Sequence, residues 1–301
     1  MRAVSLHPDV ILITSQVWQT NCTILRAEDE CLLIDSPILP EELDALPAVL
    51  EQAGIEGGAS RAPLDSIEGG AGGRRPPSRG GRASQSLQSH LSGLLATHGD
   101  WDHLLGRLAF PEASVGCAQS TYERLLAAPG EPQRELRAFD EEYYLRRKPL
   151  MLGQLQALPV PGRLSIGSHE LELHPAEGHT CDGMAVWIPW AKVLVAGDYL
   201  SSVEVPFFAA GNGSPEAYKT TLQRLRPLVE MADRVVPGHG PALEGAHALA
   251  VLEEDISYLQ ALDAHGSDAP LPPGRRTNAQ RRLHAENLTT GGSSARPPAS
   301  G

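Results

Sequence analysis

The segment Thr97-His98-Gly99-Asp100-Trp101-Asp102-His103 sets four potential metal ligands within six residues. Imidazole and carboxylate donors together suit zinc, iron, manganese or a related divalent ion. A turn leaving a strand end fans alternating side chains into one pocket. His98, Asp100 and Asp102 can converge in that way while His103 completes a second position. A solvated acidic surface loop is the plain alternative for such a cluster taken alone. Three later segments count against it: Glu177-Gly178-His179-Thr180, Val193-Leu194-Val195-Ala196-Gly197-Asp198 and Val235-Val236-Pro237-Gly238-His239-Gly240. Each sets a ligand-type residue directly after glycine and beyond an apolar, strand-like run. Glycine there permits the tight turn and close backbone approach that a metal pocket needs.

The elements that must position these residues follow from the periodicity. Val10–Thr14, Cys22–Arg26 and Cys31–Ile34 read as short strands, and Pro40–Gly54 as a helix with Leu43, Leu46, Val49 and Leu50 on one face. Leu91–Thr97 is an apolar strand running into His98. Ser120–Ala128 and Pro132–Arg147 read as helices. Leu155–Val160, Arg163–Ile166, Glu170–His174, Gly183–Ile188 and Lys192–Ala196 read as strands. Pro215–Met231 is an amphipathic helix, Arg234–Val236 a strand and Gly245–Ala264 a long helix. Strands and helices thus come as two similar runs, each ending near a His/Asp cluster, as in a layered α/β domain.

Two regions fall outside this pattern. From Ile55 to about His90 the chain is rich in Gly, Ser, Arg and Pro and almost without large apolar side chains. Such a segment buries too little surface to offset its ordering entropy, so a disordered insertion is expected. From His265 onward Gly and Pro return, with one helical fragment, Asn278–Asn287, before a frayed tail. The expected division is therefore a domain over residues 1–264 and a C-terminal extension over 265–301.

In combination, the ligand segments resemble the metallo-β-lactamase superfamily, whose signature is H-x-H-x-D-H followed by separate His, Asp and His ligands. The resemblance covers most of residues 10–264 outside the insertion. It implies a four-layer αββα sandwich with the site at one edge between the sheets. It also implies two metal ions: His98, Asp100 and His179 on the first, Asp102, His103 and His239 on the second, and Asp198 bridging. This chain reads H-x-D-x-D-H, so Asp100 stands where the family has a second histidine. Zinc is the first expectation, and the harder carboxylate oxygen also admits iron or manganese. The change resembles the flavodiiron branch, which carries a glutamate there, but 301 residues leave no room for a flavodoxin domain.

The implied chemistry is hydrolysis of a small ester, thioester, lactone or similar substrate. Two cations lower the pKa of a bridging water from about 15.7 towards about 7, giving hydroxide at neutral pH. Asp102 and Asp198 would act in catalysis, Asp102 by accepting a proton in transit. The alternatives are an iron-dependent redox or dioxygenase-like enzyme on the same scaffold, or a non-catalytic metal-binding member. A net charge of −12 argues against a nucleic-acid partner, because phosphate binding wants a basic surface. The run Val10–Ile13 is too short to span a membrane. Cys22, Cys31, Cys117 and Cys181 make no CxxC pair and suit a reducing compartment, so the cytoplasm is expected. The remaining histidines (His7, His90, His169, His174, His247, His265 and His284) read as surface or packing residues. Trp101 either lines the pocket or shields it, and Tyr199 reads as packing in preference to a substrate donor. No GxxxxGK[ST], GxGxxG or GxSxG motif supports nucleotide binding or serine hydrolysis.

Overall fold

The computed structural model describes residues 1–53, 55–56, 66–67, 89–209 and 212–291. One sheet takes the strands β1 (Arg2–His7), β2 (Val10–Thr14), β3 (Asn21–Ala27), β4 (Glu30–Asp35), β7 (Ser89–Leu95), β8 (Val115–Ala118) and β9 (Leu155–Leu158) in that spatial order, with β5 (Ile55–Glu56) paired to β7. The other runs β15 (Leu243–Glu244), β14 (Arg234–Pro237), β13 (Val193–Gly197), β12 (Met184–Ile188), β11 (His169–Pro175), β10 (Gly162–Ile166) and β6 (Ser66–Ile67). Helices α1 (Pro40–Gln52), α2 (Gly106–Ala109), α3 (Gln119–Ala127) and α4 (Glu131–Glu142) belong to the first half. Helices α5 (Pro215–Met231), α6 (Gly245–His265) and α7 (Asn278–Gly291) belong to the second.

Most neighbours pair antiparallel through short turns. The pairs β4–β7, β5–β7, β7–β8, β8–β9 and β13–β14 are parallel and need crossovers; α1 lies in the β4–β7 connection and α5 in the β13–β14 one. Side chains alternate across each strand, so a strand covered on both faces must be apolar throughout. β4 shows this directly. Cys31 and Leu33 pack against the Leu43, Leu46 and Leu50 face of α1, while Leu32 and Ile34 point inward to meet Leu164, Leu173 and Val186 of the opposite sheet. β12 and β13 mirror it, with Val186, Val193 and Val195 inward and Trp187 and Leu194 outward against Leu222, Leu225 and Leu252 of α5 and α6. The result is helix, sheet, sheet, helix: the four-layer αββα sandwich.

Several boundaries move from the sequence reading. The helix expected over Pro132–Arg147 stops at Glu142, because Tyr144 turns to φ +55° and Arg147 folds back to pair with Asp140 at 2.8 Å. β1 and β8 are additional strands; the first is mostly exposed and lacks an apolar pattern, and the second has only four residues. Within Ile55–His90, expected to be a disordered insertion, β5 and β6 form short strand pairs and Ser89–His90 opens β7. Residues 54, 57–65 and 68–88 lie outside the described residues, as does the tail from 292. The C-terminal extension is docked through its helix. His284 Nδ1 meets Tyr258 Oη at 2.8 Å, and buried Asn287 donates to Pro206 O at 2.6 Å. Among the described residues no helix is long and apolar enough to cross a membrane.

Candidate metal centre

All seven expected ligands gather at one edge between the sheets. β7 delivers Thr97, whose N–H and hydroxyl both donate to Asp35 at the end of β4, at 2.8 and 2.9 Å. The chain then turns through Gly99, whose N–H donates to Asp182 Oδ2 at 2.9 Å. A single 3-10 turn, Trp101–His103, presents Asp102 and His103 inward. Trp101 is buried against Phe139, with ring centroids 4.8 Å apart, and against Trp18 at 5.7 Å. It shields the turn. From the second sheet come His179 between β11 and β12, Asp198 after β13 and His239 after β14. Gly238 must lack a side chain, since a Cβ there would collide with Asp198 Oδ1. The two sheets are tied at this edge by Asn21, which donates to Pro237 O at 2.8 Å and Gly240 O at 2.7 Å.

Three overlapping sets of donor atoms could hold a metal ion: His98, Asp100 and His179; Asp102, His103 and His239; and His98, His103 and Asp198. Atoms bound at about 2.0–2.1 Å around a tetrahedral ion stand roughly 3.4 Å from one another. In the first set Asp100 Oδ2 is 3.6 Å from both His98 Nε2 and His179 Nε2. In the second, Asp102 Oδ2 is 3.5 Å from His103 Nε2 and 3.4 Å from His239 Nε2. Asp198 reaches both: Oδ2 is 3.3 Å from His179 Nε2 and from His239 Nε2, and Oδ1 is 3.2 Å from His103 Nε2. His98 Nε2, Asp100 Oδ1, His103 Nε2 and Asp198 Oδ1 are buried without a well-directed hydrogen-bond partner. Buried polar atoms are rarely left so; Arg124 lies beside Asp100 Oδ1, and a cation would satisfy the other three.

Each imidazole is oriented from behind, through Nδ1. His103 Nδ1 meets Asp35 Oδ2 at 3.0 Å, His98 Nδ1 meets Thr97 Oγ1 at 3.1 Å, His179 Nδ1 meets Phe207 O at 2.7 Å and His239 Nδ1 meets Thr20 Oγ1 at 3.2 Å. Outer partners of this kind fix the ring and leave Nε2 as the inward donor. The electrostatics agree. Burial opposes the charged form of His179 and His239, but Asp198, with Asp100 beside the one and Glu204 beside the other, raises them to about 9 and about 10. Burial pushes the Asp100 and Asp198 carboxyls up, yet the surrounding imidazoles hold both well below the usual range. The carboxylates and imidazoles thus hold one another in their charged forms.

Asp35, Arg124, Asp182, Thr20 and Glu204 are the members of the site that the sequence reading did not single out. Burial pushes the Glu204 carboxyl up and His239 and His179 pull it down, while Asp198 and Asp102 add to the rise. Tyr199 is a packing residue, as expected. It is buried, and its hydroxyl accepts from His179 N at 2.9 Å and donates to Ala176 O at 3.2 Å, so it is engaged within the protein. His7, His169, His174, His247, His265 and His284 stand outside the three donor sets.

A family model described as the metallo-beta-lactamase superfamily matches residues 15–239, and the chain belongs to that superfamily. A similar curated protein is the metallo-beta-lactamase type 2 of Bacillus sp. (strain 170), 23% identical over 158 residues, 52% of this chain and 54% of that one. The chain thus spans about half the length of that relative. Among solved structures, a metallo-beta-lactamase from Pontibacter korlensis matches with TM-score 0.54 and 18% identity, covering 84% of this chain and 98% of that one. The DIM-1 metallo-beta-lactamase matches with TM-score 0.55 and 17% identity, covering 86% and 96%. At such identities these likenesses show the shared fold.

Proposed function

We propose that the chain is a metal-dependent hydrolase acting on a small ester, thioester, lactone or similar substrate. The observation that carries this is the clustering of His98, Asp100, Asp102, His103, His179, Asp198 and His239, most of whose inward atoms lie near the edge length of two tetrahedral sites sharing Asp198, with His98 Nε2 farther from it at 3.9 Å. His98, Asp100 and His179 would hold one ion, Asp102, His103 and His239 a second, and Asp198 both. Zinc fits these donors, and the carboxylate of Asp100 also suits iron or manganese. When bound, such ions generate a nucleophile from water near neutral pH and polarise the oxygen of the scissile group. Asp35, Thr97, Phe207 and Thr20 keep the four rings oriented, and buried Trp101 excludes water from behind the turn. Asp102 would accept a proton from the attacking water, and Asp198 would join the two halves of the site.

Elemental analysis of the purified chain should find one to two transition-metal ions. A panel of aryl esters, thioesters, lactones and β-lactams should reveal turnover that chelation abolishes. Metal-free protein at full activity would refute the reading. Asp100 favours a second one, an iron-dependent redox enzyme on the same scaffold, for which the same sample would contain iron and consume oxygen. We infer that partners are small molecules, since the acidic chain repels nucleic acid and anionic lipid. The four cysteines are free, which supports a cytoplasmic placement.

A further inference from the structure

Arg124 projects from α3, which carries none of the expected ligands, yet its guanidinium reaches the first donor set. Its Nη2 lies 2.8 Å from Asp100 Oδ1, and its Nη1 donates to Asp182 Oδ1 at 2.8 Å. Asp182 Oδ2 in turn accepts the Gly99 N–H at 2.9 Å. The contacts close a ring: guanidinium, Asp182, the backbone at Gly99, Asp100 and back to the guanidinium. Arg124 and Asp182 are both buried, with side chains 9% and 0% exposed. The space is full, since a Cβ on Gly99 would sit 3.3 Å from Asp182 Oδ2 and 3.5 Å from Arg124 Nη1.

The consequence falls on Asp100. A carboxylate has two equivalent oxygens and a freely turning terminal torsion, so it can chelate an ion, bind through either oxygen or swing to solvent. An imidazole offers one nitrogen in one direction. Oδ1 is paired with Arg124 at 2.8 Å, as an ion pair without a well-directed hydrogen bond, and Oδ2 is the oxygen that faces His98 Nε2 and His179 Nε2, at 3.6 Å from each. The guanidinium also offsets the negative charge that aspartate adds where a neutral imidazole would add none. Lysine could offer the charge but not two fixed, parallel arms to two carboxylates.

We propose that Arg124 is a positioning residue for the first metal: its hold on Asp100 Oδ1 makes Asp100 a one-oxygen ligand, and this lets a carboxylate serve where the superfamily motif has histidine. The proposal rests on the metal-binding part of the function proposed above and is independent of the substrate.

The test is a double-mutant cycle on the full chain, read as metal affinity and not as turnover. Zinc dissociation constants are measured by chelator competition, and cobalt absorption spectra report ligand geometry, for the parent, Arg124→Met, Asp100→His and the double variant. Loss of an outer partner typically weakens a site by about 10- to 100-fold. Arg124→Met should therefore weaken one site by that factor, shift its cobalt bands and leave the other site within about threefold. In the Asp100→His background, which has no carboxylate to clamp, Arg124→Met should change affinity less than about threefold. Arg124→Lys should recover part of the loss. Should Asp100→His fail to fold by thermal melting, Asp100→Ala replaces it, and Arg124→Met should again add less than about threefold. Equal losses in both backgrounds, or no loss in the parent, would overturn the proposal. So would a parent that fills only the second site, which leaves the hydrolase reading standing; a parent that binds two ions and hydrolyses nothing does the reverse. A parent that binds no ion ends both.

Discussion

Asp35→Asn is the perturbation whose outcome the structure constrains most tightly. Three donors converge on this carboxylate: Thr97 N at 2.8 Å, Thr97 Oγ1 at 2.9 Å and His103 Nδ1 at 3.0 Å. Asp35 sits at φ +59°, a conformation asparagine also tolerates, so the substitution leaves the backbone in place and removes only the charge and one acceptor. If the new amide nitrogen faces Thr97 N, two donors oppose each other. If it faces His103, the ring keeps its geometry only by moving its proton from Nδ1 to Nε2, the atom that must stay open for a metal. In the first case a buried donor is orphaned, at a cost of about 1–3 kcal/mol; in the second the inward nitrogen is blocked. At roughly 2–4 °C per kcal/mol for a domain approaching this size, the metal-free protein should melt up to about 12 °C lower. The set formed by Asp102, His103 and His239 should lose about 10- to 100-fold in metal affinity. Calorimetry on the chelator-treated chain and zinc competition on the same sample read the two effects. A variant that melts with the parent and binds both ions within twofold would show that Asp35 does not orient His103.

Three further outcomes follow from other parts of the molecule. Arg275 is buried and pairs with buried Asp255 at 2.6 Å, while burial pushes the Asp255 carboxyl up to about 7 against that pull. Arg275→Ala should cost up to about 3–5 kcal/mol in denaturant unfolding at pH 8, where the variant must bury an unpaired carboxylate or take up a proton, and less at pH 5, where the carboxyl is protonated in parent and variant alike; an equal cost at both would discount the charge. In the metal-free chain His179 and His239, held at about 9 and about 10, contribute stability fully present below about pH 6.5, the unfolded value. That stability is lost as pH rises through 9–10, so chelator-treated protein should melt progressively lower between pH 7 and 10; a rising melting temperature would contradict the assignment. Replacing residues 68–88 by a short Gly-Ser linker, which spares the strand pairs at Ile55–Glu56 and Ser66–Ile67, should leave the melting temperature unchanged, since that composition cannot build a core.

The parts of this molecule that were legible in the sequence are those encoded by neighbours along the chain. β4, β12 and β13 announce themselves because strands covered on both faces are continuously apolar, and α5 because Leu222, Leu225 and Leu228 share one helical face and Ser214 caps it. The seven expected ligands were legible for a related reason: strand ends must lie at the edge of the sheets, so a ligand type just past an apolar strand points at one place. Asp35 obeys the same rule, ending the run Cys-Leu-Leu-Ile-Asp, and that signal could have marked it. Arg124 had no such mark. It is one arginine on an ordinary helix, and its meaning exists only once α3 is laid against the turn at Gly99. Helix α4 was overextended because the charged stretch to Arg147 keeps a helical pattern after the backbone has turned at Tyr144.

No contiguous piece of this chain owns its metal site. His98, Asp100, Asp102 and His103 arrive before β8, and His179, Asp198 and His239 only after β11, so each donor set draws members from both halves. With Asp198 counted in both, an isolated half would present two of the four donors of each candidate site. Loading therefore certifies assembly: an ion that stays has found a molecule whose two sheets have closed face to face. At free metal a hundredfold above the dissociation constant it adds about 2.7 kcal/mol to that closure. If the chain binds metal as proposed, misassembled chains would load poorly, and metal content would report how many molecules are fully assembled.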